Sequence, residues 1–327
     1  MIIDMHCHFV PPDYFAMVRS RPEFEVREVG RRGADVDIQV RGTPFELNTT
    51  FFEPERQITR MQRLGIDRTV VSLATPLINY HSETALAVEA ARCCNDGFAR
   101  LVKADPARFA AWAFLPMQDP QAAADELTRC VRQYGFVGGH VASNVRGAYL
   151  PDERFAPVCA AAVALDVPLF IHPADPAGRD RTADFELTVI AGYMFDTTIN
   201  IFRMICSGFL DRYPTLKLVC AHTGGYSLML RGRMQCELDV HPELAAARTR
   251  GVGQYLDQLY YDTAGFEPGY MAFAASVVPP DRLLFGTDAP FKLVLDDPIG
   301  FVREALPAAA AEATLGANFQ RLVGARS

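Results

Sequence analysis

The sequence MIIDMHCHF at residues 1–9 is a short apolar run that carries two histidines, His6 and His8. The part from Met1 to His6 predicts a β-strand, and strand side chains two residues apart point to the same face. On a strand that lines a barrel, His6 and His8 can therefore face the interior while Cys7 faces the surrounding helices. Two imidazoles on one strand end provide half of the coordination shell of a zinc-like ion.

Apolar, β-branched runs of the same kind recur along the chain and alternate with amphipathic stretches, which is typical of repeated βα units. Further strands are predicted at 68–74, 109–115, 136–142, 167–172, 216–222, 258–263 and 282–288, and helices at 54–64, 83–104, 120–134, 152–165, 184–210, 225–248, 268–277 and 298–305. Eight strands, each followed by a helix, predict a (β/α)8 TIM barrel. The alternative is a doubly wound open sheet, but no glycine-rich phosphate loop follows the first strand.

Two segments exceed a minimal barrel. Residues 9–53 form a long insertion after the first strand, and within it FEVREV and DVDIQV flank the turn-rich GRRGA as in a small β-hairpin. Such an insertion is expected to lie over the barrel mouth. Residues 306–327 form a C-terminal helical tail. Since no linker composition or repeat interrupts the chain, we expect residues 1–327 to form a single domain.

The composition of the 327 residues excludes several classes of protein. Half of the residues are hydrophobic and the formal net charge is -7, which argues against nucleic acid as a partner and for a small-molecule substrate. No signal peptide or long uncharged apolar run is present, so we expect neither export nor membrane insertion. The eight cysteines include no CxxC pair, as expected for packed thiols in a cytoplasmic protein.

Three more polar residues follow the predicted strands: His172 after VPLFI, His222 after LKLVCA, and Asp288 after LLFGT. Catalytic groups of such barrels lie at the carboxyl ends of the strands, where the loops converge. His6, His8, His172 and Asp288 would hold one divalent ion and leave a position open. His222 leads into Thr223-Gly224-Gly225, and we interpret it as the general acid or base; a fifth ligand or a structural histidine are its alternatives.

Five segments together resemble the decarboxylase branch of the amidohydrolase superfamily, typified by 2-amino-3-carboxymuconate 6-semialdehyde decarboxylase. They are IDMHCHF, PLFIHP, CAHTGG, FGTDAPF and GANFQRLVG, and they span nearly the whole chain. The resemblance implies a single divalent ion on His6, His8, His172 and Asp288, with His222 acting on bound water or substrate. It implies decarboxylation of aromatic or dienoic acids, and it includes relatives that hydrate or hydrolyse such compounds.

The substrate contacts are less determined by the sequence. Phe45 stands where the typical semialdehyde decarboxylase has an arginine, so a different substrate is expected, although Arg41 could reach the same space. Arg233 falls where that family has an arginine that reaches an adjoining subunit's site, which implies a substrate contact and a homodimer; a structural ion pair is the alternative. Further candidate contacts are His140, Phe185 and Lys292.

We therefore expect a metal-dependent, non-oxidative decarboxylase of a small aromatic or unsaturated carboxylic acid, in which His222 and Asp288 move the proton that replaces carbon dioxide. A hydrolase or hydratase that uses the same site for a lactone, amide or C–C bond is the first alternative. A barrel that binds a metabolite without turnover is the second. Zn²⁺ suits three imidazoles and a carboxylate, and Mn²⁺ is compatible with them.

Overall fold

The computed structural model describes residues 1–244 and 247–324. Within them, eight parallel strands form one sheet in the order of the chain. We number them barrel strands 1 to 8: Ile3–Phe9, Arg68–Leu73, Phe109–Phe114, Gly138–Ala142, Leu169–His172, Leu218–Cys220, Tyr260–Asp262 and Leu283–Leu284. Each strand is hydrogen-bonded to the next, and every predicted strand is present. Barrel strands 2 to 8 are all shorter than predicted, most of all the last three.

The sheet closes between its last and first strands. Met5 N donates to Phe285 O at 2.9 Å, His8 N donates to Ala289 O at 2.7 Å, and Cys7 forms a parallel bridge with Ala289. The predicted (β/α)8 barrel is therefore confirmed, and the open sheet is excluded. Closure places the ends of barrel strands 1 and 8 side by side, which brings residues from opposite ends of the chain together.

Helices follow the strands and cover the outside of the barrel. The α-helices are Pro12–Ser20, Pro54–Leu64, Thr84–Ala104, Pro120–Tyr134, Ala156–Leu165, Tyr193–Cys206, Phe209–Arg212, Arg231–Val240, Val252–Leu256, Pro268–Val277, Pro298–Ala305, Ala308–Glu312 and Asn318–Val323. Residues that flank the helices determine where they begin and end. For example, the Asp119 side chain caps the helix Pro120–Tyr134, and Gly135 ends it in the left-handed conformation. Among the described residues, no helix is long and apolar enough to cross a membrane.

Two helix predictions need correction. The predicted helix 184–210 begins with a π-helical turn at Thr188–Gly192 and is interrupted at Gly208, whose φ of 69° breaks the helix. The helix predicted at 225–248 begins only at Arg231, since positive φ angles at Gly224 and Gly225 delay it, and two residues near its predicted end, 245 and 246, lie outside the described part. The helical tail is present up to residue 324, and residues 325–327 lie outside the described part.

Apolar side chains fill the amino-terminal part of the barrel lumen, among them Ile3, Met5, Trp112 and Phe170. The helix Asn318–Val323 packs on the same cluster and covers the amino-terminal end of the barrel. Barrel strand 1 carries a β-bulge between Asp4 and Cys7. Asp4 pairs with Thr69 and Cys7 pairs with Val71, so barrel strand 1 advances by three residues where barrel strand 2 advances by two. The extra residue allows the strand to send apolar side chains inward at its base and histidines inward at its end.

The insertion after barrel strand 1 is a three-stranded antiparallel sheet rather than the predicted two-stranded hairpin. The two predicted strands are present as Val26–Arg32 and Asp35–Val40, and Thr43–Leu47 adds a third strand. The sheet contacts loops at the barrel mouth: Asn48 Nδ2 donates to Pro290 O at 2.8 Å, and Lys292 Nζ lies 2.7 Å from Glu46 Oε2. The insertion is therefore fastened beside the carboxyl ends of the strands.

Candidate metal centre

One carboxylate oxygen at the carboxyl end of the barrel is surrounded by three histidines. Asp288 Oδ1 lies 3.1 Å from His6 Nε2, 2.9 Å from His8 Nε2 and 3.8 Å from His172 Nε2. The four residues come from barrel strands 1 and 5 and from the residues after strand 8, and all four are buried. The structure thus brings together the three nitrogens and one oxygen that were singled out in the sequence.

His222 approaches the other oxygen of the same carboxylate. Its Nε2 lies 3.2 Å from Asp288 Oδ2. Donor atoms of His222, His6, His172 and Asp288 all lie within 4.8 Å of one another, so distance alone also permits His222 as a ligand. His222 differs from the three other histidines in its position. It faces Oδ2 of Asp288, whereas the imidazoles of the other three face Oδ1.

Hydrogen bonds on the far side of each ring aim the Nε2 atoms at the centre. His8 Nδ1 lies 3.1 Å from Ser72 Oγ, and His172 Nδ1 lies 2.7 Å from Thr75 Oγ1. Engaging Nδ1 in this way leaves Nε2 free to bind an ion and fixes the ring plane. Ser72 lies at the end of barrel strand 2 and Thr75 lies just beyond it, so this strand supports the centre without supplying a ligand.

Asp262 holds the third ring, and sequence reasoning missed it. Its Oδ2 lies 2.5 Å from His6 Nδ1, and its Oδ1 accepts hydrogen bonds from Thr223 N at 2.9 Å and Ala264 N at 3.1 Å. Asp262 is fully buried at the end of barrel strand 7. A signal was present in the sequence, because Asp262 is an acidic residue near the end of a predicted apolar strand, as Asp288 is.

The electrostatics of the centre favour a cation. Burial lowers the pKa of His6, but the charge of Asp288 and the hydrogen bonds to Asp262 and Asp288 outweigh it and raise this pKa to about 10. Burial lowers the pKa of His172 to about 3 and also lowers that of His8. Although burial opposes it, the neighbouring histidines hold the pKa of Asp288 well below its usual value. Two buried carboxylates, Asp262 and Asp288, thus lie among the imidazoles, and a bound cation would offset their negative charge.

These residues fit a divalent ion. Within residues 1–244 and 247–324, the buried Nε2 of His172 has no hydrogen-bond partner, although a buried polar atom without a partner is costly. A shared ion would satisfy it together with the Nε2 atoms of His6 and His8. Three imidazole nitrogens and one carboxylate oxygen form a donor set that suits zinc and is compatible with manganese.

Three residues at the centre have left-handed backbone conformations. His222, Thr223 and Asp288 have φ angles of 54°, 55° and 60°, a region that residues other than glycine seldom occupy. Gly286 permits the close approach that Asp288 needs, since a Cβ there would lie 2.7 Å from His6 Cβ. The surrounding hydrogen bonds must therefore hold these residues in place.

The four candidate substrate contacts lie in different surroundings. His140 is fully buried in the lumen, where its ring centroid lies 5.6 Å from that of Phe170 and 5.9 Å from that of His172, and neither ring nitrogen has a partner among the described residues. Phe185 is 83% exposed. Lys292 is paired with Glu46 of the insertion.

Arg233 is exposed on the helix Arg231–Val240, and no ion pair involves it in the part of the chain that the structure describes. Arg41 Nη1 lies 2.8 Å from Asp175 Oδ2 in the loop after barrel strand 5. Within this one chain, Arg233, Phe185 and Lys292 are not brought against the histidines. Their roles as substrate contacts stay predictions.

An aromatic wall that was not predicted stands beside the centre. The ring centroid of Phe291 lies 5.1 Å from that of His8 and 5.0 Å from that of Phe51, at the end of the insertion. Phe291 is only three residues after Asp288, which is the one sequence signal that could have indicated it. These two rings connect the insertion to the mouth of the site.

An eight-stranded barrel with histidines and an aspartate gathered at its carboxyl end defines the class of metal-dependent barrel enzymes. The family model described as amidohydrolase matches residues 3–325. The chain belongs to this amidohydrolase family.

Two relatives and one solved structure are similar over most of the chain. The gamma-resorcylate decarboxylase of Polaromonas sp. is 32% identical over 252 residues, which cover 73% of this chain and 77% of the relative. The 2-amino-3-carboxymuconate-6-semialdehyde decarboxylase of Dictyostelium discoideum is 28% identical over 249 residues, 76% of this chain and 69% of the relative. A dihydroxybenzoic acid decarboxylase from Polaromonas sp., solved with manganese and the inhibitor 2-nitroresorcinol, superimposes with a TM-score of 0.77 at 25% identity, covering 98% of this chain and 96% of that one.

Proposed function

We propose that this protein is a metal-dependent, non-oxidative decarboxylase, a carboxy-lyase that acts on a small aromatic or unsaturated carboxylic acid. The observation that carries the proposal is the arrangement around Asp288, whose Oδ1 faces three histidine Nε2 atoms while its Oδ2 faces His222. The decarboxylase names of the relatives support the reaction type.

His6, His8, His172 and Asp288 would hold the ion. When bound, it supplies a Lewis acid that polarises a substrate oxygen and stabilises the charge that develops during the reaction. Zn²⁺ is our first choice because of the nitrogen-rich donor set. The manganese in the related decarboxylase structure keeps Mn²⁺ as the alternative.

His222 is the proposed proton carrier. Its Nε2 delivers a proton to the substrate carbon that bears the carboxylate, and this carbon becomes tetrahedral while the neighbouring unsaturated system takes up the positive charge. The C–C bond then breaks, carbon dioxide leaves, and the bonding electron pair restores the unsaturation. Asp288 Oδ2, 3.2 Å from His222 Nε2, orients the ring for this transfer, and the ring takes up a new proton from water after carbon dioxide has left.

The active enzyme is proposed to be a homodimer in the cytoplasm. Arg233 is exposed and lies near two exposed apolar side chains, Met229 and Val240, which a second copy could cover while Arg233 contacts the substrate of that copy. His140, Phe185 and Lys292 remain candidate contacts. All eight cysteines are free thiols, which suits a reducing compartment.

Product analysis tests the proposed reaction. Purified protein loaded with Zn²⁺ or with Mn²⁺ is incubated with hydroxylated benzoates and muconate-like acids, and carbon dioxide release is measured in water enriched in ¹⁸O. We expect carbon dioxide and a product that carries one new C–H bond and no ¹⁸O. The His222→Ala variant serves as the control. Products that carry ¹⁸O without carbon dioxide release would instead identify a hydrolase or hydratase and overturn the proposal.

A further inference from the structure

The outer face of barrel strand 1 carries a buried charged residue that the metal centre does not use. Asp4 is fully buried. Its Oδ2 accepts hydrogen bonds from Thr287 Oγ1 at 2.7 Å and Arg60 Nη2 at 3.1 Å, and its Oδ1 accepts from Thr287 N at 3.0 Å and His6 N at 3.3 Å. A buried carboxylate is costly unless each oxygen is paired, and here every partner belongs to barrel strand 1, to the residues after barrel strand 8, or to one helix.

That helix, Pro54–Leu64, supplies two side chains to this face. Gln57 and Arg60 are three residues apart, so they lie on the same side of the helix. Gln57 Nε2 donates to His8 O at 3.0 Å, and Arg60 Nη1 lies 3.4 Å from Thr287 Oγ1. We name Asp4, Gln57, Arg60 and Thr287 the outer clamp.

The outer clamp acts on the backbone of three proposed ligands. It bonds to His6 N and His8 O, and it holds Thr287, the residue before Asp288. Thr287 N and Asp288 N in turn lie 3.2 and 2.8 Å from His6 O. Because Asp288 has a φ of 60°, its conformation depends on such external contacts. Ligand geometry must be held closely for tight metal binding.

We propose that the outer clamp is a positioning device that sets how tightly the centre retains its ion. It works through the backbone of His6, His8 and Asp288 and does not touch the ion or the substrate. The inference rests on the proposed metal site. It adds to that site a set of buried residues outside the lumen. Substituting one of them should loosen the backbone that positions the ligands without changing any ligand residue.

Arg60→Met tests the proposal, because it removes the cation while keeping the chain length. The rate at which the metal-loaded protein loses its ion to a chelator is measured at a temperature well below the unfolding midpoint of each variant. We expect the ion to leave about 10–100-fold faster than from the wild type, which is the usual effect of removing a partner behind the ligands. Arg60→Lys restores the charge and should recover part of the retention.

Arg129→Met is the matched control. Arg129 is also a mostly buried arginine paired with a buried carboxylate, Glu126 Oε1 at 2.6 Å, but it lies on the helix Pro120–Tyr134, away from the centre. Both variants should lower the melting temperature, and only Arg60→Met should speed metal loss. Equal rates in the two variants would overturn the outer clamp. A wild type that binds no metal would instead overturn the proposed function. If Arg60→Met does not fold, Thr287→Val takes its place with the same expected direction, because it removes the hydroxyl that donates to Asp4 Oδ2 and accepts from Arg60 Nη1.

Discussion

His172 and His222 face opposite oxygens of one carboxylate, and this difference is the basis on which we propose different roles for them. His172 shares Oδ1 with His6 and His8, whereas His222 faces Oδ2 alone. Removing a residue that holds the ion should lower the metal content, whereas removing a residue that moves a proton should lower turnover and leave the metal bound. Separate measurements of metal content and turnover can therefore resolve their roles.

We expect His172→Ala to lose most of its metal and His222→Ala to keep it. Turnover of His222→Ala at saturating metal should fall by about 10²–10⁴-fold, the usual contribution of a positioned acid or base. Elemental analysis of both purified variants, with turnover measured in parallel, checks this. Metal loss of similar size in the two variants would show that His222 is a ligand.

Asp262→Asn should weaken metal binding by about 10–100-fold, since the His6 ring loses its carboxylate partner at 2.5 Å. The measurement is a competition titration against a chromogenic chelator. Asp281→Asn, which changes an exposed carboxylate, is the control and should bind metal as the wild type does. An unchanged affinity in Asp262→Asn would contradict the role that we assign to this aspartate.

The sequence was sufficient to single out His6, His8, His172, His222 and Asp288 because each stands at a recognisable strand end. Asp262 also lies at a predicted strand end, but the sequence did not show that it supports His6, since this contact joins residues 256 positions apart and depends on how the barrel closes. The sequence also could not indicate Ser72 and Thr75. Their small polar side chains gain a role only when the fold places them at the Nδ1 atoms of His8 and His172.

Among the elements, the insertion differs most from expectation. Its third strand, Thr43–Leu47, was missed because it is short and contains Pro44, which usually argues against a strand. Pro44 is tolerated because this strand is at the edge of the sheet. Charged contacts at the sheet ends then fasten the insertion to the barrel loops, and the pairs Arg41–Asp175 and Lys292–Glu46 are two of them.

Asp175→Asn should destabilise the protein at pH 7 by about 0.2–1 kcal/mol, the range for exposed ion pairs. Burial alone would raise the pKa of Asp175, but Arg41 and Arg179 lower it below its ordinary value of 3.8. The stabilisation is therefore fully present above about pH 4 and is lost as the pH falls through the lowered pKa.

Urea unfolding of the wild type and Asp175→Asn at several pH values measures this effect. The difference in the free energy of unfolding should shrink toward zero at acidic pH. Asp180→Asn, a change in the same loop at a carboxylate with no ion pair among the described residues, should show little difference at any pH. A constant difference across the pH range would rule out the ion-pair explanation.

For the whole molecule, the alternation of apolar strands and amphipathic helices was enough to predict the barrel, because right-handed βα units leave few other arrangements. Strand lengths and helix interruptions were not predictable, since they depend on local backbone angles such as those at Gly208 and Gly225. The assignment of residues 1–327 to one domain stays a prediction.

Removing the ion should lower the melting temperature of the whole barrel. An ion present at 100 times its Kd stabilises the folded state by about 2.7 kcal/mol, which corresponds to a shift of roughly 5–11 °C by the scaling for domains of 150–250 residues. Calorimetry of metal-loaded and chelator-treated protein measures the shift, and adding back the ion should restore it. An identical melting temperature in both states would contradict a centre shared between barrel strands 1 and 8.

The pairing of His8 with Asp288, 280 residues further along the chain, also dictates when the protein can mature during synthesis. At about 5–20 residues per second, the ribosome finishes the aspartate roughly 15–60 s after the first histidines emerge. If the proposed metal site is correct, a nascent chain must therefore keep these imidazoles available, without a stable site, until Asp288 has been made. Loading of the ion would then be a late event that requires a chain extended at least to Asp288.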